Sequence, residues 1–179
     1  MIIRSCFLAF FLFFLSTEYS LSQTYETNLR LYSKWESSLI HFDTPSIDQY
    51  VTKYDSPYPP DLLTFSINYT YPDCETDYLE FILYLYGTKN INFSYTDKMG
   101  KISIDGNTIR CLYNAYSDSS GVYFITFTSF QPGFYGLIDM MKKGKQMVIQ
   151  LPDLLLVRKI ELTGFTKAFN RSTLMCQKR

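Results

Sequence analysis

The chain has 179 residues, and its 17 basic and 17 acidic side chains give a formal net charge of zero. This balance argues against a nucleic-acid-binding protein, because such proteins need a basic surplus to neutralise phosphates. Tyrosine and phenylalanine are abundant, with 16 and 15 residues, and both favour β-strands.

Residues 1–22 have the pattern of a secretory signal peptide. Arg4 precedes ten apolar residues, from Cys6 to Leu15, and small residues further on predict cleavage before Gln23. Ten helical residues extend about 15 Å, half of a roughly 30 Å hydrocarbon core, so we expect cleavage rather than a membrane anchor. We expect the remaining chain, 23–179, to form one domain that is periplasmic or secreted.

Three cysteines remain after cleavage: Cys74, Cys111 and Cys176. An oxidising compartment predicts one disulfide and one thiol. All pairings are open, but we favour one that includes Cys176, because it would fix the C-terminus. The chain has no Cys-x-x-Cys motif and no Cys/His cluster, so we expect neither a metal site nor a cofactor.

Alternating apolar and polar residues predict antiparallel β-strands over most of the chain. The pattern is clearest in 62–70, whereas 78–86 is nearly all apolar, as in a central strand. Asp105-Gly106-Asn107 predicts a hairpin turn. The fold class predicted is mainly β, an antiparallel sandwich or barrel of about nine strands with two short helices near the C-terminus. The other strands predicted are 29–42, 47–54, 91–96, 101–105, 108–116, 122–128, 145–151 and 154–162.

The C-terminal segment 133–176 contains both predicted helices. The first ends with Lys142 and Lys143 in its last turn, and Gly144 is predicted to be the left-handed residue that follows. The second, 164–170, is predicted to begin at an N-cap Thr163. We expect its two phenylalanines to fill the core, together with the tryptophan of the first strand; these structural residues are Trp35, Gly144, Gly164, Phe165 and Phe169.

A short helix ending in a lysine-glycine turn, two strands, a Gly-Phe-x-x-Ala helix and a cysteine form a recognisable order. The residues that carry it are Met140, Lys143, Gly144, Leu162, Gly164, Phe165, Ala168 and Cys176, with Trp35 and Asp43 earlier in the chain. This order resembles the invasion-associated locus B family and the periplasmic accessory proteins associated with type VI secretion. The resemblance implies a β-sandwich without known catalysis that acts in envelope processes or host interaction.

Two groups of residues are candidates for chemistry. His41 is the single histidine, and the chain has no Gly-x-Ser-x-Gly motif, so we interpret it as a structural strand residue. The densest acidic group has the residue types of a hard-cation site or of a carboxylate-dependent hydrolase. We interpret it instead as a solvated loop; its members are Asp73, Glu75, Asp77 and Glu80.

Three further sets concern binding. A possible basic patch for an anionic group consists of Lys142, Lys143, Lys145, Arg158 and Lys159, with solvated helix-end charge as the alternative. Tyrosines suit both cores and binding faces, and we favour the core for Tyr54, Tyr58, Tyr69, Tyr71, Tyr84 and Tyr86. Glycosylation sequons begin at Asn68, Asn92 and Asn170.

These observations predict an exported, non-enzymatic binding or accessory protein of the bacterial envelope, linked to secretion or host interaction. We expect a protein partner, no nucleic acid and no membrane anchor after cleavage. One alternative is a glycan or cell-wall hydrolase that uses the acidic group between residues 73 and 80. Another is a glycosylated extracellular protein of a eukaryote.

Overall fold

The computed structural model describes residues 24–178, apart from 44–45, 57–60, 71–73, 75, 86–92, 118–120 and 132. The predicted signal peptide lies outside the described residues. The strands are β1 Thr24–Tyr32, β2 Trp35–Asp43, β3 Ser46–Ser56, β4 Asp61–Thr70, β5 Thr76–Leu85, β6 Ser94–Ile104, β7 Asn107–Ser117, β8 Val122–Gln131, β9 Gln146–Leu151 and β10 Leu156–Glu161. The helices are α1 Phe134–Lys143 and α2 Phe165–Gln177, and a 3₁₀ turn, Pro152–Leu154, joins β9 to β10.

The strands form an antiparallel sheet in the order β1-β2-β3-β4-β5-β8-β7-β6-β9-β10. The sheet curves until its two ends approach each other. There, Trp35 Nε1 donates a 2.7 Å hydrogen bond to the carbonyl of Glu161, and Lys34 Nζ lies 3.3 Å from Glu161 Oε2. The predicted fold class, mainly β with an antiparallel sandwich or barrel and two helices near the C-terminus, is confirmed.

Two strand boundaries differ from those predicted. The segment 29–42 is a hairpin rather than one strand, because Ser33 adopts a left-handed φ of 62° and turns the chain between β1 and β2. The segments 91–96 and 101–105 belong partly to one long strand, β6, which absorbs an irregularity beside Asp97 at φ 54°. Neither residue is a glycine, so composition does not indicate either feature. The hairpin at Asp105-Gly106 is confirmed.

The two glycines beside the helices serve close approach. Gly144 is extended, with φ −83°, so the left-handed conformation predicted for it is wrong. A Cβ at this position would collide with the side chain of Ile104. Gly164, rather than Thr163, precedes α2 and has φ 95°, and a Cβ there would collide with the carbonyl of Tyr32. The helix also continues to Gln177 instead of ending at residue 170.

Helix α2 is fixed across β2, β3 and β4 by aromatic packing. Phe165 is fully buried, and its ring centroid lies 4.7 Å from that of Trp35. One turn later, Phe169 packs edge-on against Tyr69 at 5.6 Å. Thus the predicted core positions of Trp35, Phe165 and Phe169 are occupied as expected. None of the described helices has the length and apolar character to cross a membrane.

A disulfide fixes the end of α2. It joins Cys176 to Cys74, just beyond β4, across 102 residues of sequence. The expected bond that includes Cys176 is therefore confirmed, and Cys111 on β7 is the free, buried thiol.

Candidate functional site

The side of α2 next to its buried stripe faces an open groove. Phe165, Ala168, Phe169, Ser172 and Cys176 recur at helical spacing and are buried against the sheet. The neighbouring stripe and the end of β1 enclose a groove of about 520 Å³. Its lining residues, here called the basic groove, are Arg30, Tyr32, Lys167, Asn170, Arg171, Leu174, Met175 and Lys178.

Four of these eight lining residues are cationic and none is acidic. Arg171 Nη1 donates to neutral acceptors, the carbonyl of Asn28 at 2.7 Å and Ser37 Oγ at 2.8 Å. The Arg30 guanidinium lies over the ring of Tyr32, 5.6 Å from its centroid. Within the described part of the chain, no carboxylate forms an ion pair with any cation of the groove. Among the described residues, the basic groove therefore carries four positive charges without a fixed counter-charge.

The other face of β1, β2 and β3 carries a different arrangement. Lys53 Nζ lies 2.6 Å from Glu36 Oε1, 3.3 Å from Glu26 Oε1 and 3.7 Å from Asp55 Oδ2. The Glu36 side chain is 9% exposed and that of Lys53 is 20% exposed. This group, here called the Lys53 cluster, surrounds its single cation with carboxylates, so little positive charge remains for a ligand.

A chain of three polar side chains lies on β1, β2 and β3. His41 Nδ1 is 2.6 Å from Asp48 Oδ1, its register partner on β3. His41 Nε2 is 3.0 Å from Thr27 Oγ1 on β1. The sequence-based interpretation of His41 as a strand residue agrees with this position, but neither of its partners was anticipated.

The basic patch predicted from sequence is divided in the structure. Lys142 Nζ lies over the ring of Phe169, 4.5 Å from its centroid. Arg158 and Lys159 are consecutive in β10 and therefore point to opposite faces of the sheet. Lys143 and Lys145 are exposed at the turn between α1 and β9. These residues do not line the basic groove.

The other predicted sites are only partly described. Asp73 and Glu75 lie outside the described residues, and the structure describes the backbone but not the side chains of Asp77 and Glu80. Tyr54 and Tyr69 are buried in the core, as favoured. Tyr58, Tyr71 and Tyr86 lie outside the described residues, as does Asn92, and the Tyr84 side chain is not described.

The sequons at Asn68 and Asn170 have different surroundings. Asn68 is 3% exposed, so the folded chain does not present this sequon to solvent. Its neighbours on β3 and β5 flank it on both sides of the strand. Asn170 is exposed and lines the groove, while its sequon partner Ser172 is buried and donates to the carbonyl of Val51 at 2.7 Å.

Three buried groups have raised pKa values. Burial raises the pKa of the Cys111 thiol to about 12. Burial also raises the pKa of Tyr69 well above its usual range. The pKa of Tyr113 is raised by burial first and then by the negative charge of Asp153. All three groups stay protonated at neutral pH, and none of them lines the basic groove.

Sequence reasoning missed the groove because it ended α2 too early. Lys167, Arg171, Leu174 and Lys178 follow one another at spacings of three or four residues, which places them along one side of a helix. This spacing is visible in the sequence, but it indicates one side of a helix only if the helix continues beyond Asn170. The contribution of Arg30 depends on the docking of β1 beside α2, which no local pattern indicates.

No protein-family model, curated protein or solved structure matches the chain. Among the described residues, no group of three or more His, Cys, Asp or Glu side chains is arranged to hold a metal ion. The basic groove is therefore the candidate functional site.

Proposed function

We propose that this chain is an exported binding protein of the bacterial envelope that holds an acidic segment of a protein partner in the basic groove. The observation that carries the proposal is the set of four cations around one groove whose described lining contains no acidic residue. Like charges gathered without counter-charge destabilise a fold slightly, and an anionic ligand would remove that repulsion.

The remaining lining residues favour a peptide over a simple anion. Leu174 is 50% exposed beside the cations, and Tyr32 and Met175 add further apolar surface. From Lys167 to Lys178 the helix rises about 16 Å, which matches roughly five residues of an extended peptide. Alternating acidic and apolar side chains would complement such a surface.

Two observations support the compartment and the role. The disulfide between Cys74 and Cys176 suits an oxidising environment, in agreement with an exported protein. The C-terminal resemblance to exported accessory families supports a place in the envelope and a partner in secretion or host interaction. The zero net charge of the whole chain argues against nucleic acid as the anionic partner.

The test is a binding titration with a fluorescent peptide of about six residues that alternates glutamate and leucine. We expect affinity that falls with added salt and that decreases about tenfold in the K167Q/K178Q variant, since two exposed ion pairs contribute up to about 1 kcal/mol each. The K143Q/K159Q variant removes two exposed lysines outside the groove and should bind normally.

Two results would overturn the proposal. One is equal affinity for a control peptide that alternates glutamine and leucine. The other is a loss of affinity in K143Q/K159Q with none in K167Q/K178Q, which would place the site on the basic patch predicted from sequence.

A further inference from the structure

We propose that Thr27, His41 and Asp48 form a hydrolytic site for carboxylic esters on the adjacent strands β1, β2 and β3. This activity is separate from peptide binding and departs from the expectation of a non-enzymatic protein. That expectation used the absence of a Gly-x-Ser-x-Gly motif, which places a nucleophile on a strand-helix turn. Here the three side chains come from adjacent strands, 14 and 7 residues apart in sequence.

The hydrogen bonds set the protonation needed for general base catalysis. The Asp48 carboxylate lies 2.6 Å from His41 Nδ1, so this nitrogen donates and carries the proton. In the tautomer with the proton on Nδ1, Nε2 directs its lone pair at the Thr27 hydroxyl at 3.0 Å. A hydroxyl, an imidazole and a carboxylate in this order have the roles of nucleophile, base and orienting group.

The solvent exposure of the three side chains suits these three roles. Asp48 has a side chain 15% exposed, while the His41 side chain is 25% exposed. Thr27 lies on the edge strand β1 and is partly exposed. A shielded carboxylate and a reachable hydroxyl suit a site at which the substrate approaches from the edge of the sheet.

The backbone directly after Thr27 departs from regular strand pairing. The β1–β2 register moves from Thr27 opposite Leu39 to Arg30 opposite Ser37, so Asn28 and Leu29 have no register partner. Asn28 has a left-handed φ of 54°, and Arg171 holds its carbonyl at 2.7 Å. An oxyanion formed at Thr27 requires hydrogen-bond donors, and the proposal assigns this role to the backbone amides of this irregular segment.

The reaction proceeds in two steps. Thr27 Oγ1 attacks the ester carbonyl, its proton passes to His41 Nε2, and the alcohol leaves with that proton, so that Thr27 becomes acylated. Water then attacks the acyl group while His41 accepts its proton, which releases the carboxylic acid and restores the hydroxyl. The contact between Arg171 and Asn28 joins this site to the basic groove. We therefore assign to the hydrolytic site esters that have an anionic acyl group. Only this charge preference, and not the hydrolysis itself, rests on the proposed function.

The experiment measures hydrolysis of p-nitrophenyl acetate and of the p-nitrophenyl monoester of succinic acid by the purified chain. The wild type should hydrolyse both, and Thr27→Val should lower both rates about 100-fold, while Thr27→Ser keeps the hydroxyl and retains activity. Thr108→Val is the matched control, because Thr108 is an exposed strand hydroxyl bonded to Ser103. Asp48→Asn should lower kcat in a folded protein, because it disturbs the His41 tautomer.

A fluorophosphonate reagent, followed by peptide mass spectrometry, should label Thr27 and no residue in the Thr27→Val variant. Unchanged rates in Thr27→Val, or a label on another residue, would overturn the hydrolytic site. K167Q/K178Q should raise KM for the succinate monoester alone. If it does not, the charge preference and its groove fail, while activity towards the acetate still establishes the hydrolytic site.

Discussion

The two faces of β1, β2 and β3 carry opposite arrangements of charge. On one face, the Lys53 cluster surrounds one cation with three carboxylates at 2.6–3.7 Å. On the other face, the basic groove gathers four cations and no carboxylate. Both faces belong to the same strands in the same register, so the difference lies in their side chains. One set pairs its charges internally, and the other leaves its cations open to an anionic ligand.

This difference separates stability from binding. Partly buried charges that are paired, as in the Lys53 cluster, contribute to the fold and leave little field for a ligand. Exposed cations that no carboxylate pairs contribute little to the fold and attract an anion. Substitutions on the two faces should therefore affect different measurements.

Loss of the Phe165 ring, which anchors α2 on the sheet, should abolish the groove while leaving the Lys53 cluster in place. Phe165→Ala should lower the free energy of unfolding by about 3–5 kcal/mol, because the fully buried ring packs against Trp35. Denaturant unfolding measures this change, with Leu174→Ala on the exposed side of α2 as the control. A midpoint unchanged from wild type would mean that α2 does not dock on the sheet.

Loss of the disulfide, which fixes the C-terminal end of α2 beside the groove, should lower the stability of the fold. The Cys74→Ser/Cys176→Ser double variant should be less stable by about 2–4 kcal/mol, because the bond closes a loop of 102 residues in the unfolded chain. Thermal unfolding with and without a reductant gives the comparison, since reduced wild type should match the variant. If the double variant is as stable as the oxidised wild type, the cross-link does not restrain the unfolded chain.

Removal of the central cation should damage the opposite face alone. Lys53→Gln should reduce stability by about 1–3 kcal/mol, because Glu36 and Glu26 would face each other without compensation. Lys34→Gln is the control, since Lys34 and Glu161 form an exposed pair with 52% and 46% of their side chains accessible. Acidic-peptide binding should be unchanged in Lys53→Gln, and a loss of binding would contradict the division between the faces.

Neutralisation of the groove should have the smallest effect on stability. K167Q/K178Q should shift the free energy of unfolding by no more than about 0.5 kcal/mol, because both lysines are exposed and no ion pair holds them within the described residues. Chemical denaturation measures it. A larger loss would show that these lysines stabilise the fold, and the weaker peptide binding of this variant would then have a structural cause.

The sequence predicts the fold better than it predicts the candidate site. Alternating residues and the turn at Asp105-Gly106 indicate the strands because period and backbone conformation are local properties. Ser33 and Asp97 turn or distort strands without a glycine, so the first hairpin and the long β6 were missed. The position of Gly144 after a helix predicts a left-handed residue, whereas close contact with Ile104 is what requires a glycine there.

The candidate site depends on contacts between distant segments. Arg30 and Arg171 line the same groove only because β1 and α2 dock together, and these two residues are 141 positions apart in the sequence. Thr27, His41 and Asp48 meet because of strand register, which one residue of slip would destroy. Neither arrangement forms a motif, so the basic patch near α1 was the more visible signal in the sequence.

The most direct test of the central claim is an NMR titration of the isotope-labelled protein with the acidic peptide. If the basic groove is the binding site, the backbone amide shifts will change at Arg30, Lys167, Asn170 and Lys178 in a saturable manner. Shifts that instead cluster at Lys143, Lys145 and Lys159, with the groove unchanged, would contradict it.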